Sequence, residues 1–193
     1  TTGLRNTAVG AYALDANTTG GDNNAFGENA LGANTTASDN NAFGRLALSS
    51  NTTGTANSAF GHATLDAGNN NYNSAFGAEA LTNNNADNNA AFGYRALKGN
   101  TTAVDNSAFG TNALKSCTTG SYNSAFGKDS MAATTTGDQN CAFGDRSLDS
   151  NTNGRRNCAF GILALANNTT GSQNTAVGRV AGYSNTTADY NTA

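Results

Sequence analysis

No proline and no tryptophan occur in this 193-residue chain, and histidine and methionine occur once each. Without proline, every residue keeps its backbone N–H as a hydrogen-bond donor. A single histidine, His62, is too little for a Ser-His-Asp array, since the array would rest on one residue in a variable, exposed turn position. The three cysteines show no Cys/His spacing of the kind that holds zinc. Lysine and arginine total 10 against 13 acidic residues, giving a net charge of −3. That balance argues against nucleic acid, which needs clustered basic side chains. No apolar run approaches the roughly 18 residues of a membrane span, and no signal peptide is recognisable. Large apolar residues are scarce as well. Leu, Ile, Val and Phe make up about 13% of the chain, a level that usually marks disorder. The net charge is too small for the self-repulsion of disordered chains, so composition alone does not decide the matter.

Periodicity decides it. The pentapeptide Asn-x-Ala-[Phe/Val]-Gly returns eleven times, with repeats beginning at Asn6, Asn23, Asn40, Asn57, Asn73, Asn89, Asn106, Asn123, Asn140, Asn157 and Asn174. The spacing is 17 residues, except for two intervals of 16. A short fixed period means a stacked architecture in which each repeat leans on its neighbours. The full unit reads N-x-A-F-G-x-x-A-L-x-x-N-T-T-G-x-x, and Asn106–Tyr122 is a clean copy. Its positions are numbered one to seventeen from the first Asn.

Positions one to four alternate as a short strand does, with positions two and four on one face and Asn and Ala on the other. The invariant glycine at position five implies a positive φ or a close backbone approach. Positions six and seven accept very unlike residues and read as an exposed turn, and positions eight and nine return to Ala-Leu. Both 16-residue repeats lose their residue after Leu65 and Leu81, which places a loop in positions twelve to seventeen. Helix is disfavoured, because each unit carries Gly and several Asn, Thr or Ser. The expected fold class is therefore all-β: a parallel β-solenoid, or β-roll, of about eleven 17-residue coils. Each coil is expected to hold two short strands and two turns, and residues 1–193 form a single repeat domain.

In-register stacking turns each position into a ladder. The expected apolar core is a phenylalanine ladder (Phe26, Phe43, Phe60, Phe76, Phe92, Phe109, Phe126, Phe143, Phe160) and a leucine ladder (Leu14, Leu31, Leu48, Leu65, Leu81, Leu97, Leu114, Leu148, Leu165). An asparagine ladder (Asn23, Asn40, Asn57, Asn73, Asn89, Asn106, Asn123, Asn140, Asn157, Asn174) is expected to line one edge, its amides bonding along the axis. One Phe and one Leu per coil make a thin core. The alanines at positions three and eight suggest a second surface where further chains pack closely, so a homotrimer is expected. The chain begins mid-repeat and ends at the start of another motif, which reads as a segment of a longer fibre.

Asn106-Ser107-Ala108-Phe109-Gly110, followed by Ala113-Leu114 and Thr118-Thr119-Gly120, resembles the head repeats of trimeric autotransporter adhesins, which run roughly S-V-A-I-G-x-x-A-x-A-x-G. The NTAVGxxALxxNTTG form, in Asn6–Gly20, is similar to repeats of phage and viral tail-fibre proteins. The period here is longer than in adhesin heads, and Phe stands where they carry Ile. The resemblance covers essentially the whole chain. It implies a trimeric β-roll in an extracellular setting, on a virion tail fibre or a bacterial cell surface, and it carries over no catalytic residue.

Cys141 and Cys158 share position two of successive coils, as small neighbours of Phe or as a pair within disulfide distance but poorly oriented for one. Cys117 replaces Asn at position twelve. Asp22, Asp39 and Asp105 precede the motif, but the glycine-aspartate nonapeptide of calcium-binding solenoids is absent. The Thr-Thr pairs form a ladder that could match ice, though adjacent threonines point to opposite faces. Asn17, Asn34, Asn51, Asn100, Asn168 and Asn185 begin N-x-T sequons, read as incidental. Tyr12, Tyr72, Tyr94, Tyr122 and Tyr190 lie in turns and loops, where tyrosine can stack on sugars.

The expectation is a protein that is not an enzyme and needs no cofactor or metal. It would be a structural fibre segment, a phage tail-fibre shaft or an adhesin head, that attaches to a host or surface through a glycan or protein. The alternative is a glycan- or ice-binding β-solenoid whose outer face is itself the recognition surface. A left-handed hexapeptide-repeat acyltransferase would need a strict period of six and a catalytic histidine.

Overall fold

The structure is a computed structural model that describes residues 2–193; Thr1, the first residue of the 1–193 repeat domain, lies outside the described residues. Eleven three-residue strands each begin one residue after the first Asn of a repeat: β1 (Thr7–Val9), β2 (Asn24–Phe26), β3 (Asn41–Phe43), β4 (Ser58–Phe60), β5 (Ser74–Phe76), β6 (Ala90–Phe92), β7 (Ser107–Phe109), β8 (Ser124–Phe126), β9 (Cys141–Phe143), β10 (Cys158–Phe160) and β11 (Thr175–Val177). They form one parallel sheet whose order is the order of the chain. The register is in phase throughout, so that Ser107, Ala108 and Phe109 pair with Ser124, Ala125 and Phe126. The 16-residue repeats keep the same register, pairing Ser58 with Ser74 and Ser74 with Ala90. The chain is an all-β parallel solenoid.

Each coil has one strand, not two. The expected second strand at Ala-Leu is instead a turn, because the leucines at position nine have φ between 50° and 53°. This left-handed conformation is uncommon for residues other than glycine. It reverses the chain at the point where Leu enters the interior. The coil still bonds to its neighbours there, as Leu114 N–H donates to Ser130 O at 3.0 Å. Two β-turns frame the corner. Ala113 N–H donates to Gly110 O (3.2 Å), with Asn112 at φ 58° in the third place, and Cys117 N–H donates to Leu114 O (3.1 Å). The invariant glycine is needed for both expected reasons. Gly110 has φ 142°, and a Cβ on it would lie 2.4 Å from Gly127 O.

The core is narrower than the sequence suggests. Ala108, Ala113 and Leu114 are fully buried, as are their equivalents in the interior coils. The phenylalanines are not part of it. Positions one and three face inward and positions two and four face outward, the reverse of the expected assignment of faces. The reason is width: alanine methyls on the strand meet leucine from the opposite turn, and no room remains between them for an aromatic ring. The nine rings from Phe26 to Phe160 therefore stack outside the coil, with centroids 4.5–5.1 Å apart. Phe143 and Phe160 are the most open of them, at 36% and 41% exposed. The expectation that alanine forms an outer packing surface is overturned by the same finding, since Ala108 and Ala113 are enclosed by their own chain.

Candidate functional site

Asparagine builds the interior scaffold, and it lies inside the coil rather than along an edge. Asn23, Asn40, Asn57, Asn73, Asn89, Asn106, Asn123, Asn140, Asn157 and Asn174 are all at most 1% exposed. Asn106 is typical. Its Nδ2 donates to Gly120 O (2.9 Å), and its Oδ1 accepts the backbone N–H of Asn123 (2.9 Å). The side chain thus crosses the coil and also satisfies a backbone donor of the next one. A second ladder at position twelve supports it. In the coil that begins at Asn89, Asn89 and Asn100 both donate to Ala103 O, at 3.0 and 2.9 Å. Cys117 substitutes in that ladder, its thiol donating to Gly120 O, and burial pushes its pKa up to about 12. Thr134 substitutes less well, since its hydroxyl has no partner.

These bonds also decide five of the six sequons, Asn185 being only partly buried. Asn17, Asn34, Asn51, Asn100 and Asn168 are buried with their amides engaged inside the coil, so a glycan cannot be attached to them without opening it. The threonine ladder divides in two. At position thirteen the hydroxyl is used between coils, as in Thr118 Oγ1 to Thr135 O (3.1 Å), while position fourteen is exposed. Those exposed threonines sit on a bend rather than on a strand face.

The outward turns hold the remaining side chains. On these turns, ion pairs run between coils: Arg45 with Glu28 at position six (3.2 Å), and Glu79 with Arg95 at position seven (2.9 Å) and with Lys98 at position ten (2.6 Å). Hydrogen bonds from Lys98 and then Arg95 hold the Glu79 carboxyl down at about 2. His62 is exposed and touches Arg45 at 3.2 Å. Asp22 pairs with Arg5, and Asp39 is exposed. Among the described residues, no three His, Cys, Asp or Glu side chains form a metal-binding group, and no helix is long and apolar enough to cross a membrane. Cys141 and Cys158 are direct neighbours in the sheet, with free thiols on the phenylalanine face.

Tyr12, Tyr72, Tyr94, Tyr122 and Tyr190 are all exposed, by 43–74%. Two of them stand near a concavity on the outward turns. Positions sixteen and seventeen of the late coils line an open groove of about 550 Å³, formed by Ser121, Tyr122, Asp138, Gln139, Arg155, Arg156, Ser172 and Gln173. Position seventeen has positive φ in every coil, which sets Tyr122, Gln139, Arg156, Gln173 and Tyr190 in one file. Arg156 Nε donates to Gln139 (2.9 Å), and Gln173 Nε2 donates to Tyr190 OH (3.2 Å). Arg155 is paired with Asp138 (3.6 Å), whereas Arg156 has no carboxylate partner among the described residues.

Position sixteen has a structural duty that the sequence reading missed. Its side-chain oxygen accepts the backbone N–H of the preceding coil's position sixteen, as in Ser121 N–H to Asp138 Oδ1 (2.9 Å) and Val104 N–H to Ser121 Oγ (3.1 Å). The signal was the recurrence of Ser, Asp and Asn there. No protein-family model, no curated protein and no solved structure matches this sequence.

Proposed function

We propose that this chain is a non-enzymatic structural segment of an extracellular fibre, a phage tail-fibre shaft or a cell-surface adhesin head, that works as a homotrimer in attachment to a host or surface. One observation carries the reading. Apart from the outward phenylalanines, the residues that repeat are consumed in building the coil, and those that vary sit on its turns. Asn106, Ala108 and Leu114 are buried, whereas Tyr94, Lys128, Ile162 and Tyr122, all from positions six and seventeen, are exposed. A rod of repeated coils supplies reach and stiffness, and varied turns supply a surface that a partner can distinguish. Copies held side by side add avidity to weak contacts.

A second reading, a glycan-binding solenoid, has its own support in the groove at Tyr122 and Arg156. Tyrosine offers a flat face to a sugar ring, and an unpaired guanidinium suits an acidic one. The ice-binding version draws less support, because the exposed threonines lie on a bend.

The test replaces position six by Ser and position seventeen by Asn, which tolerates positive φ, and leaves position sixteen intact. The variant should keep the wild-type circular dichroism spectrum and mass. It should lose binding to intact bacterial cells and to immobilised acidic oligosaccharides. Undiminished binding would reject the turns as the recognition surface.

A further inference from the structure

We infer that the outward phenylalanine face is where copies of this chain meet, each copy covering the face of another. The inference deepens the fibre reading and rests on its homo-oligomer, but it moves the interface from alanine to phenylalanine. Positions two and four of all eleven strands carry no charged residue: they read Thr/Val, Asn/Phe, Ser/Phe, Ala/Phe or Cys/Phe. Nine stacked rings form a continuous ridge, and the small side chains at position two form a gutter beside it. Eleven strands at about 4.8 Å make this face about 50 Å long, and two outward positions with their side chains make it about 12 Å wide. The area is therefore roughly 600 Å², at the upper end of what a lone protein leaves exposed. With the bordering turn residues it approaches the roughly 800 Å² per partner of a standard interface.

The period selects the occupant. A ridge and gutter repeated at every coil are matched along their whole length only by a surface with the same axial spacing, and another copy of this face has it. Three such faces would meet about one shared axis, with the rings of each copy seated against the small position-two side chains of the next. Cys141 and Cys158 lie in this face and are half-buried in the single chain, so association would close them off. Cys117 is buried inside the coil in either state.

The experiment follows thiol reactivity with a soluble aromatic disulfide, together with mass by light scattering, over a dilution series of the wild-type chain. The expected result is a multiple of the 19.4 kDa chain mass at high concentration. Two thiols should then be protected by tenfold or more, and both should become reactive as the mass falls, while Cys117 stays unreactive. Phe76→Lys with Phe109→Lys should give a single-chain mass, a wild-type circular dichroism spectrum and two reactive thiols at every concentration. An oligomer whose two thiols react freely would overturn this interface and leave the fibre reading standing. A single-chain mass at all concentrations would overturn the interface and the homo-oligomer together. The wild-type series alone decides between these outcomes if the lysine variant does not fold.

Discussion

The backbone N–H of Asn106 donates to Asn89 Oδ1 at 3.1 Å, while the Asn106 side chain bonds Gly120 O and the N–H of Asn123. No aspartate or glutamine serves equally well. An aspartate would set a carboxylate against the Gly120 carbonyl, and a glutamine is one methylene too long for a fully buried site. Asn106→Ala would leave the Asn123 N–H buried and unpaired, and the Gly120 carbonyl with only the weak Cys117 thiol donor. An unpaired buried group costs about 1–3 kcal/mol and the weakened carbonyl bond adds to it, so the substitution should destabilise the chain by about 2–4 kcal/mol, read as a fall in the urea midpoint. A change below about 0.5 kcal/mol would mean that the ladder is ornamental. Glycine at position five has a comparable constraint of space, and both residues recur in all eleven repeats.

At the scale of the element, one coil is a three-residue strand, a left-handed leucine corner and a polar return. Much of this was legible in the sequence. The 17-residue period fixed the stacking, the tolerance of positions six and seven marked a turn, and the two one-residue deletions marked the return. Alternation along Asn-Ser-Ala-Phe was legible too, but it does not say which face is inside. Hydrophobicity pointed to Phe109, and the interior took Ala108. What decides this is the width of the coil, which depends on the leucine corner. Nothing in the residue pattern signals that corner, because leucine rarely adopts positive φ. The candidate groove was legible only as variable positions. The cross-coil bonds at position sixteen emerge once the coils are stacked.

The two faces separate in energy. Leu114 is fully buried, and Leu114→Ala should cost about 2–5 kcal/mol. Phe109 is half-buried and stacked between Phe92 and Phe126. Phe109→Ala should cost the single chain about 1–2 kcal/mol, from partial burial and the loss of stacking. Urea unfolding at concentrations low enough to separate copies measures both. Equal costs would place the ring in the core after all.

Over the whole molecule, stability is a sum of coils and of the contacts between neighbours. Every coil adds the same rise, so distance along the rod should depend on the number of coils and not on the number of residues. Position seventeen offers labelling sites on one outward file: Asp39, Asp105, Gln139 and Gln173. From Asp39 these lie four, six and eight coils away. Nitroxide pairs on cysteines at these positions, introduced after the native cysteines are replaced by serine at Cys141 and Cys158 and by asparagine at Cys117, would be diluted with excess unlabelled chain. Pulsed electron–electron resonance then reads the spacing directly. At about 4.7 Å per coil, the account predicts narrow distributions centred at about 19, 28 and 38 Å. Distances that fail to grow linearly with coil number, or broad distributions that are the same for all three pairs, would contradict the stacked parallel solenoid.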